Sequence, residues 1–111
     1  MPYDEVLAER VRALLATEPD LTEMRMFGGL AFLIGGNVAV AASGQDGLLV
    51  RVDPRQGAEL VASTNARPME MRGRQMQGWL QVGADDARRE ADLARWVELG
   101  TAYARSLPAK R

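Results

Sequence analysis

Residues 21–53, LTEMRMFGGLAFLIGGNVAVAASGQDGLLVRVD, decide the fold. From Leu21 the pattern has period two, with Met24 and Met26 on one side and Arg25 and Phe27 on the other, as a strand with two unlike faces requires. Gly28-Gly29 interrupts it, and the expectation is a bulge or sharp bend within one strand. Leu30, Phe32 and Ile34 then carry the alternation on. Gly35-Gly36-Asn37 is a hairpin signal, because the tight turns that join antiparallel strands need positive φ. Val38, Val40 and Ala42 form a second strand, Gly44-Gln45-Asp46-Gly47 a second turn, and Leu48, Val50 and Val52 a third strand. Three strands joined by short turns make an antiparallel meander.

Helical periodicity flanks this meander. Upstream, Leu7, Val11, Leu14 and Leu15 fall on one face of a helix over residues 4–17, with Asp4 as its cap and Pro19 barring continuation. Downstream, Asp53-Pro54 sets a carboxylate at the cap and a proline in the first turn, where no amide is needed. The second helix is expected to reach Ser63, burying Leu60 and Val61. Met69 and Met71 alternate as a short strand, Gly73 to Gly78 read as a turn or loop, and Trp79 to Val82 as a strand. Asp85 is expected to cap a last helix whose apolar stripe is Leu93, Trp96, Val97, Gly100, Tyr103, Ala104 and Leu107, with Asp85–Arg89 and Arg88–Asp92 pairs on its wet side. Pro108 and the basic tail are expected to fray. The fold class is α+β: a two-layer sandwich with an antiparallel sheet, in the order helix, three strands, helix, two strands, helix. Residues 1–111 read as one domain with a core over about residues 3–107. An uncovered sheet edge or face invites self-association, so a homodimer is expected.

Composition narrows the chemistry. The chain holds no histidine and no cysteine, which excludes a Ser–His–Asp triad, a Cys–His pair, a typical zinc site and a disulfide within it. Lys110 is the only lysine, and it stands near the terminus, away from any glycine-rich phosphate loop. Gly28-Gly29 and Gly35-Gly36 lie between strands and lack the spacing of a dinucleotide fingerprint. Asp85-Asp86 is the tightest acidic pair, and adjacent carboxylates at a helix start serve the cap and the dipole. No catalytic residue, metal ligand or cofactor site is therefore assigned, and the chain is expected not to be an enzyme. A small enzyme using carboxylates or a bound metal is the third reading, without a motif to support it. The net charge of −1 gives no long-range pull toward nucleic acid or an anionic membrane. The first residues lack the basic-then-apolar order of a signal peptide, and no apolar run could span a bilayer, so a cytoplasmic protein without membrane contact is expected.

What remains is a surface. Thirteen of the 14 basic residues are arginine, and Arg67, Arg72 and Arg74 cluster beside Trp79, with Arg51 or Arg25 expected nearby on the sheet. Arginine with an aromatic suits protein hot spots and single-stranded nucleic acid alike. A protein partner is the leading reading and nucleic acid the alternative. Met24, Met26, Met69, Met71 and Met76 could line one soft face across neighbouring strands, although filling the core is their commoner role.

Arg25-Met26-Phe27-Gly28-Gly29, the strand Leu30 to Ile34 and Gly36-Asn37 resemble the opening signature of the TfoX/Sxy N-terminal domain. Leu48 to Val52 with Asp53 are similar to that family's third strand and helix cap. Arg67-Pro68, Met71, Gly73, Met76, Gly78 and Trp79 are similar to its later segment. The resemblance covers about Tyr3 to Leu107. It implies the α+β order above, a fold like that of type III secretion chaperones, and a link to transcriptional regulation of natural competence. Full-length regulators of that family carry a further C-terminal helical domain, for which residues 1–111 leave no room. The family supplies no catalytic residues.

Overall fold

The computed structural model describes residues 3–26, 28–44 and 47–110. Phe27, which the sequence reading places on the strand beside Arg25, and the turn residues Gln45 and Asp46 lie outside the described residues. The chain runs α1 (Glu5–Leu14), β1 (Leu21–Met26), β2 (Gly29–Ile34), β3 (Asn37–Ala42), β4 (Leu48–Arg51), α2 (Pro54–Ser63), β5 (Arg67–Met71), β6 (Arg74–Val82), a 3₁₀ turn (Ala84–Ala87) and α3 (Glu90–Ser106). The strands form one sheet in the order β1-β2-β3-β4-β6-β5, and every neighbouring pair is antiparallel.

The α+β class and the helix–strands–helix–strands–helix order are as the sequence implies, but the first run holds four strands, not three. Met26 pairs with Gly29 and Leu21 with Ile34, so Gly28 lies in a hairpin connection and Gly29 opens β2, where a bend in one strand was expected. Gly28 has φ +72°, and a Cβ on Gly29 would lie 1.9 Å from the Ala42 carbonyl oxygen. The alternation misleads because a two-residue connection reverses parity. Met24 stands opposite Ala31, not Phe32, so even positions of β1 and even positions of β2 face opposite ways.

The later segment is also tighter than expected. Arg72 and Gly73, with φ +54° and +77°, form the whole turn, and β6 begins at Arg74. Gly78 (φ +81°) sits in a bulge inside β6. Met69 pairs with Met76 and Pro68 with Leu80, which leaves Gln77, Gly78 and Trp79 without partners on β5. The Gly78 carbonyl accepts from the Val52 N–H at 2.8 Å, which fastens the bulge to the end of β4.

Both early caps form as read: the Asp4 carboxylate accepts from Leu7 N–H at 3.1 Å, and Asp53 from Arg55 N–H at 2.9 Å. Asp85 does not cap α3. It lies in the 3₁₀ turn, ion-paired with Arg88 three residues on, and α3 starts after Arg89 with no side-chain cap. The expected spacing-four pairs are thereby replaced by one of spacing three. The tail does not fray as far as Lys110. The buried Asn37 amide (2% exposed) donates to the Pro108 carbonyl at 3.0 Å, and Lys110 N–H donates to Gly35 at 2.7 Å.

All three helices cover one face of the sheet. There Leu7, Val11, Leu93, Trp96 and Val97 bury Phe32, Val40, Leu48, Val50, Leu80 and Val82, and α2 adds only the half-buried Leu60 and Val61. The alternate residues, Ala31, Leu33, Val38, Ala41, Leu49 and Met69, form a second cluster against which Met26, Met71, Met76 and Trp79 pack. Every member of that cluster comes from a strand. Its cover comes from the β5–β6 hairpin and the end of β1, not from a helix.

Candidate interaction surface

The bulge in β6 and the end of β4 set the centre of the surface. Arg51 and Trp79 are direct cross-strand partners, and the Arg51 guanidinium lies 5.4 Å from the Trp79 ring centroid. It also lies 5.7 Å from the ring centroid of Tyr103 on α3. Two aromatic rings within reach hold the cation through their quadrupoles. Tyr103 was legible only as part of the apolar stripe of α3. Nothing in the sequence pairs it with a residue 52 positions earlier.

Arg67, Arg72 and Arg74 follow along the β5–β6 hairpin. Arg67 stands opposite Gln81 and Arg74 opposite Met71, with Arg72 in the turn between the strands, and all three are exposed. Arg10, Arg12, Arg55, Arg88 and Arg105 each bind a carboxylate. Among the described residues Arg67, Arg72 and Arg74 make no ion pair. Beside them Met69, Met71 and Met76 belong to the strand-only cluster. Trp79 also looks into a cleft between α2 and β6, lined by Pro54, Gly57, Val61, Met76 and Leu80.

Arg25 does not join this group. It lies on β1, the opposite edge of the sheet, with β2, β3, β4 and β6 between it and β5. Its partner Leu30 belongs to the helix-covered core, so Arg25 is on the other face as well. The methionines divide too: Met24 is 53% exposed on β1, whereas Met26, Met69, Met71 and Met76 pack together.

The glycine and cap positions have scaffold roles. Gly36 (φ +83°) turns β2 into β3, and a Cβ there would meet Lys110 at 2.9 Å. Gly73 faces open space and is required only by its φ. A Cβ on Gly78 would approach the Val52 carbonyl at 3.0 Å and Pro54 at 3.1 Å. Hydrogen bonds from the Arg55 side chain, and then from its backbone, hold the Asp53 carboxyl below its ordinary range. That carboxylate is thereby occupied as a cap. Among the described residues no three acidic side chains gather as a metal-holding group, and no helix is long and apolar enough to cross a membrane.

A model of the TfoX N-terminal domain matches residues 13–104. The chain belongs to that family. No curated protein and no solved structure shows significant similarity to it. In this TfoX N-terminal domain the segments Arg25 to Asn37, Leu48 to Pro54 and Arg67 to Trp79 all fall within the match. The first holds the β1–β2 and β2–β3 hairpins, the second fixes β4 to α2, and the third is the arginine-bearing hairpin.

Proposed function

We propose that this TfoX N-terminal domain is a non-enzymatic interaction module of a regulatory system, in the cytoplasm, and that its protein partner docks on the β5–β6 hairpin. Family membership supports the regulatory context, with transcriptional control of competence as its finer form. The observation that carries the docking site is Arg72. It holds φ +54° at a turn position where glycine or asparagine relieves a strain of roughly 1–2 kcal/mol. A bulky cation kept in such a conformation, exposed and without an ion pair among the described residues, is better explained by contact with a partner than by stability. Arg74 and Arg67 extend the charge, while Met71, Met76 and Trp79 supply adaptable apolar area.

The test is quantitative affinity capture from native lysate with the wild type, Arg72→Ala/Arg74→Ala and Arg72→Asn. The expected result is one protein recovered stoichiometrically by the wild type and at least tenfold less by the double variant. Arg72→Asn should be more stable than the wild type yet bind less. Equal recovery by all three baits, or no enriched protein, defeats the reading. The same arginines also suit a phosphate backbone. If nucleic acid is the partner, binding of the purified wild type weakens with added salt, and the double variant lowers the slope of that dependence by about one to two counterions.

A further inference from the structure

The β1 edge carries a second inference, independent of the hairpin surface. β1 borders the sheet. Its six residues pair with β2 in unbroken register, and they contain neither proline nor a bulge. The other edge, β5, is guarded by Pro68 and by a break in register, usual devices against edge-to-edge association. β1 has neither the proline nor the break, and among the described residues Met24 at its centre is one of two large apolar side chains left exposed.

The hydrogen-bond phase of β1 is fixed. Gly35 N–H donates to the Asp20 carbonyl at 3.2 Å, which continues the register in which Leu21 faces Ile34. Bonded and non-bonded pairs alternate in an antiparallel ladder, so Thr22, Met24 and Met26 direct their amides and carbonyls to β2. Leu21, Glu23 and Arg25 direct theirs outward.

The geometry points to β1 as a self-pairing edge that takes a second copy of this chain, antiparallel, about a two-fold axis through Met24. In that register Glu23 of each copy opposes Arg25 of the other, and their outward backbone groups exchange hydrogen bonds. Glu23 and Arg25 share the helix-covered side of the sheet, and Met24 meets its symmetry mate on the opposite side. Sliding two residues either way sets Glu23 against Glu23 or Arg25 against Arg25, and like charges directly opposite are destabilising. The charge pattern thus selects one register. Arg25, which has no ion pair among the described residues, acquires a partner in it. Glu23 already binds Arg12 through two hydrogen bonds, at 2.7 and 2.8 Å, so each end of the interface becomes an Arg–Glu–Arg row.

The register can be read directly, because the chain has no cysteine. The Cα atoms of a non-bonded antiparallel pair are about 4.5 Å apart, within the roughly 4.4–6.8 Å that a disulfide spans. Mild oxidation of Met24→Cys is therefore expected to give a covalent dimer in high yield. Thr22→Cys faces Met26 of the other copy, about 13 Å along the strand from its own mate, and should remain a thiol. Sedimentation equilibrium is expected to show a wild-type monomer–dimer equilibrium. Arg25→Glu should weaken it at least tenfold, with far-ultraviolet dichroism unchanged. A wild type that stays monomeric at millimolar concentration overturns the inference and leaves the hairpin surface untouched. A wild-type dimer that Met24→Cys does not trap, equal trapping of Thr22→Cys, or undiminished association of Arg25→Glu overturns it as well.

Discussion

Gly57 and Gly100 both lie inside helices and are both buried, yet the same substitution should act on them with opposite sign. A Cβ built on Gly57 meets nothing within 4 Å, because the residue looks into the cleft between α2 and β6. Alanine there removes the conformational penalty of a helical glycine, about 0.5–1 kcal/mol, and adds a methyl group to a mostly apolar wall. Gly57→Ala should therefore stabilise the domain by about 1 kcal/mol, which raises the thermal midpoint by roughly 4–8 °C at this size. A Cβ on Gly100 would fall 2.2 Å from the Ala39 carbonyl oxygen and 2.9 Å from a Val40 methyl. The oxygen is backbone in the middle of a sheet, so α3 must lift away by about 1 Å, a core overpacking that costs about 1–3 kcal/mol or more. The lost cover over Ala39 and Val40 adds to this, so Gly100→Ala should destabilise by about 2 kcal/mol after the propensity gain. Urea unfolding followed by the fluorescence of Trp79 and Trp96 reads both variants, and an unchanged slope with shifted midpoints isolates the stability term. If both variants shift in one direction, or if Gly100→Ala matches the wild type, then α3 does not rest on β3 as described.

Two further outcomes follow from single groups. The Thr101 hydroxyl is buried in α3 without a hydrogen-bond partner among the described residues, so Thr101→Val, of nearly equal volume, should stabilise the domain by about 1 kcal/mol in the same urea assay. A destabilised valine variant would mean that the hydroxyl has found a partner. Hydrogen bonding to Arg12 holds the Glu23 carboxyl below its ordinary range. A depressed folded-state pKa contributes stability that is complete above the unfolded value, about 4.3, and is lost as pH falls through the folded one. Midpoints measured from pH 6 down to pH 3 should therefore fall more steeply for the wild type than for Glu23→Gln, and parallel profiles would refute the linkage.

The parts of the fold that local chemistry determines were legible in the chain. Asp4, Asp53-Pro54 and Gly35-Gly36 shape the backbone next to them, and each does there what its residue type predicts. Features that depend on what a segment packs against were not. The step from Met26 to Gly29 kept an apolar alternation while reversing direction, so period two could not tell a bent strand from a hairpin. Gly73 to Gly78 looked like a loop because two glycines bracket it, whereas one serves a turn and the other a bulge clasped by Val52. The surface was half legible. Arg67, Arg72, Arg74 and Trp79 are neighbours in sequence and stay neighbours in space. Arg51 required the β4–β6 crossover, and Arg25 fell on the far edge because an unforeseen hairpin turned β1 outward. Tyr103 carried no signal at all, since an aromatic on an amphipathic helix looks the same whether it fills a core or stacks on a cation.

The clasp between Pro108–Lys110 and the β2–β3 hairpin also fixes an exit direction. The register places Gly35 and Gly36 at the end of the sheet where β4 hands over to α2, and the arginine-bearing hairpin extends past that same end. Any label, tether or fusion partner joined after Lys110 starts its path from there with little freedom to choose otherwise. A reporter placed at this point would sit on the flank that carries the hairpin arginines, and one placed in the Ser43–Gly47 turn would sit on the opposite flank.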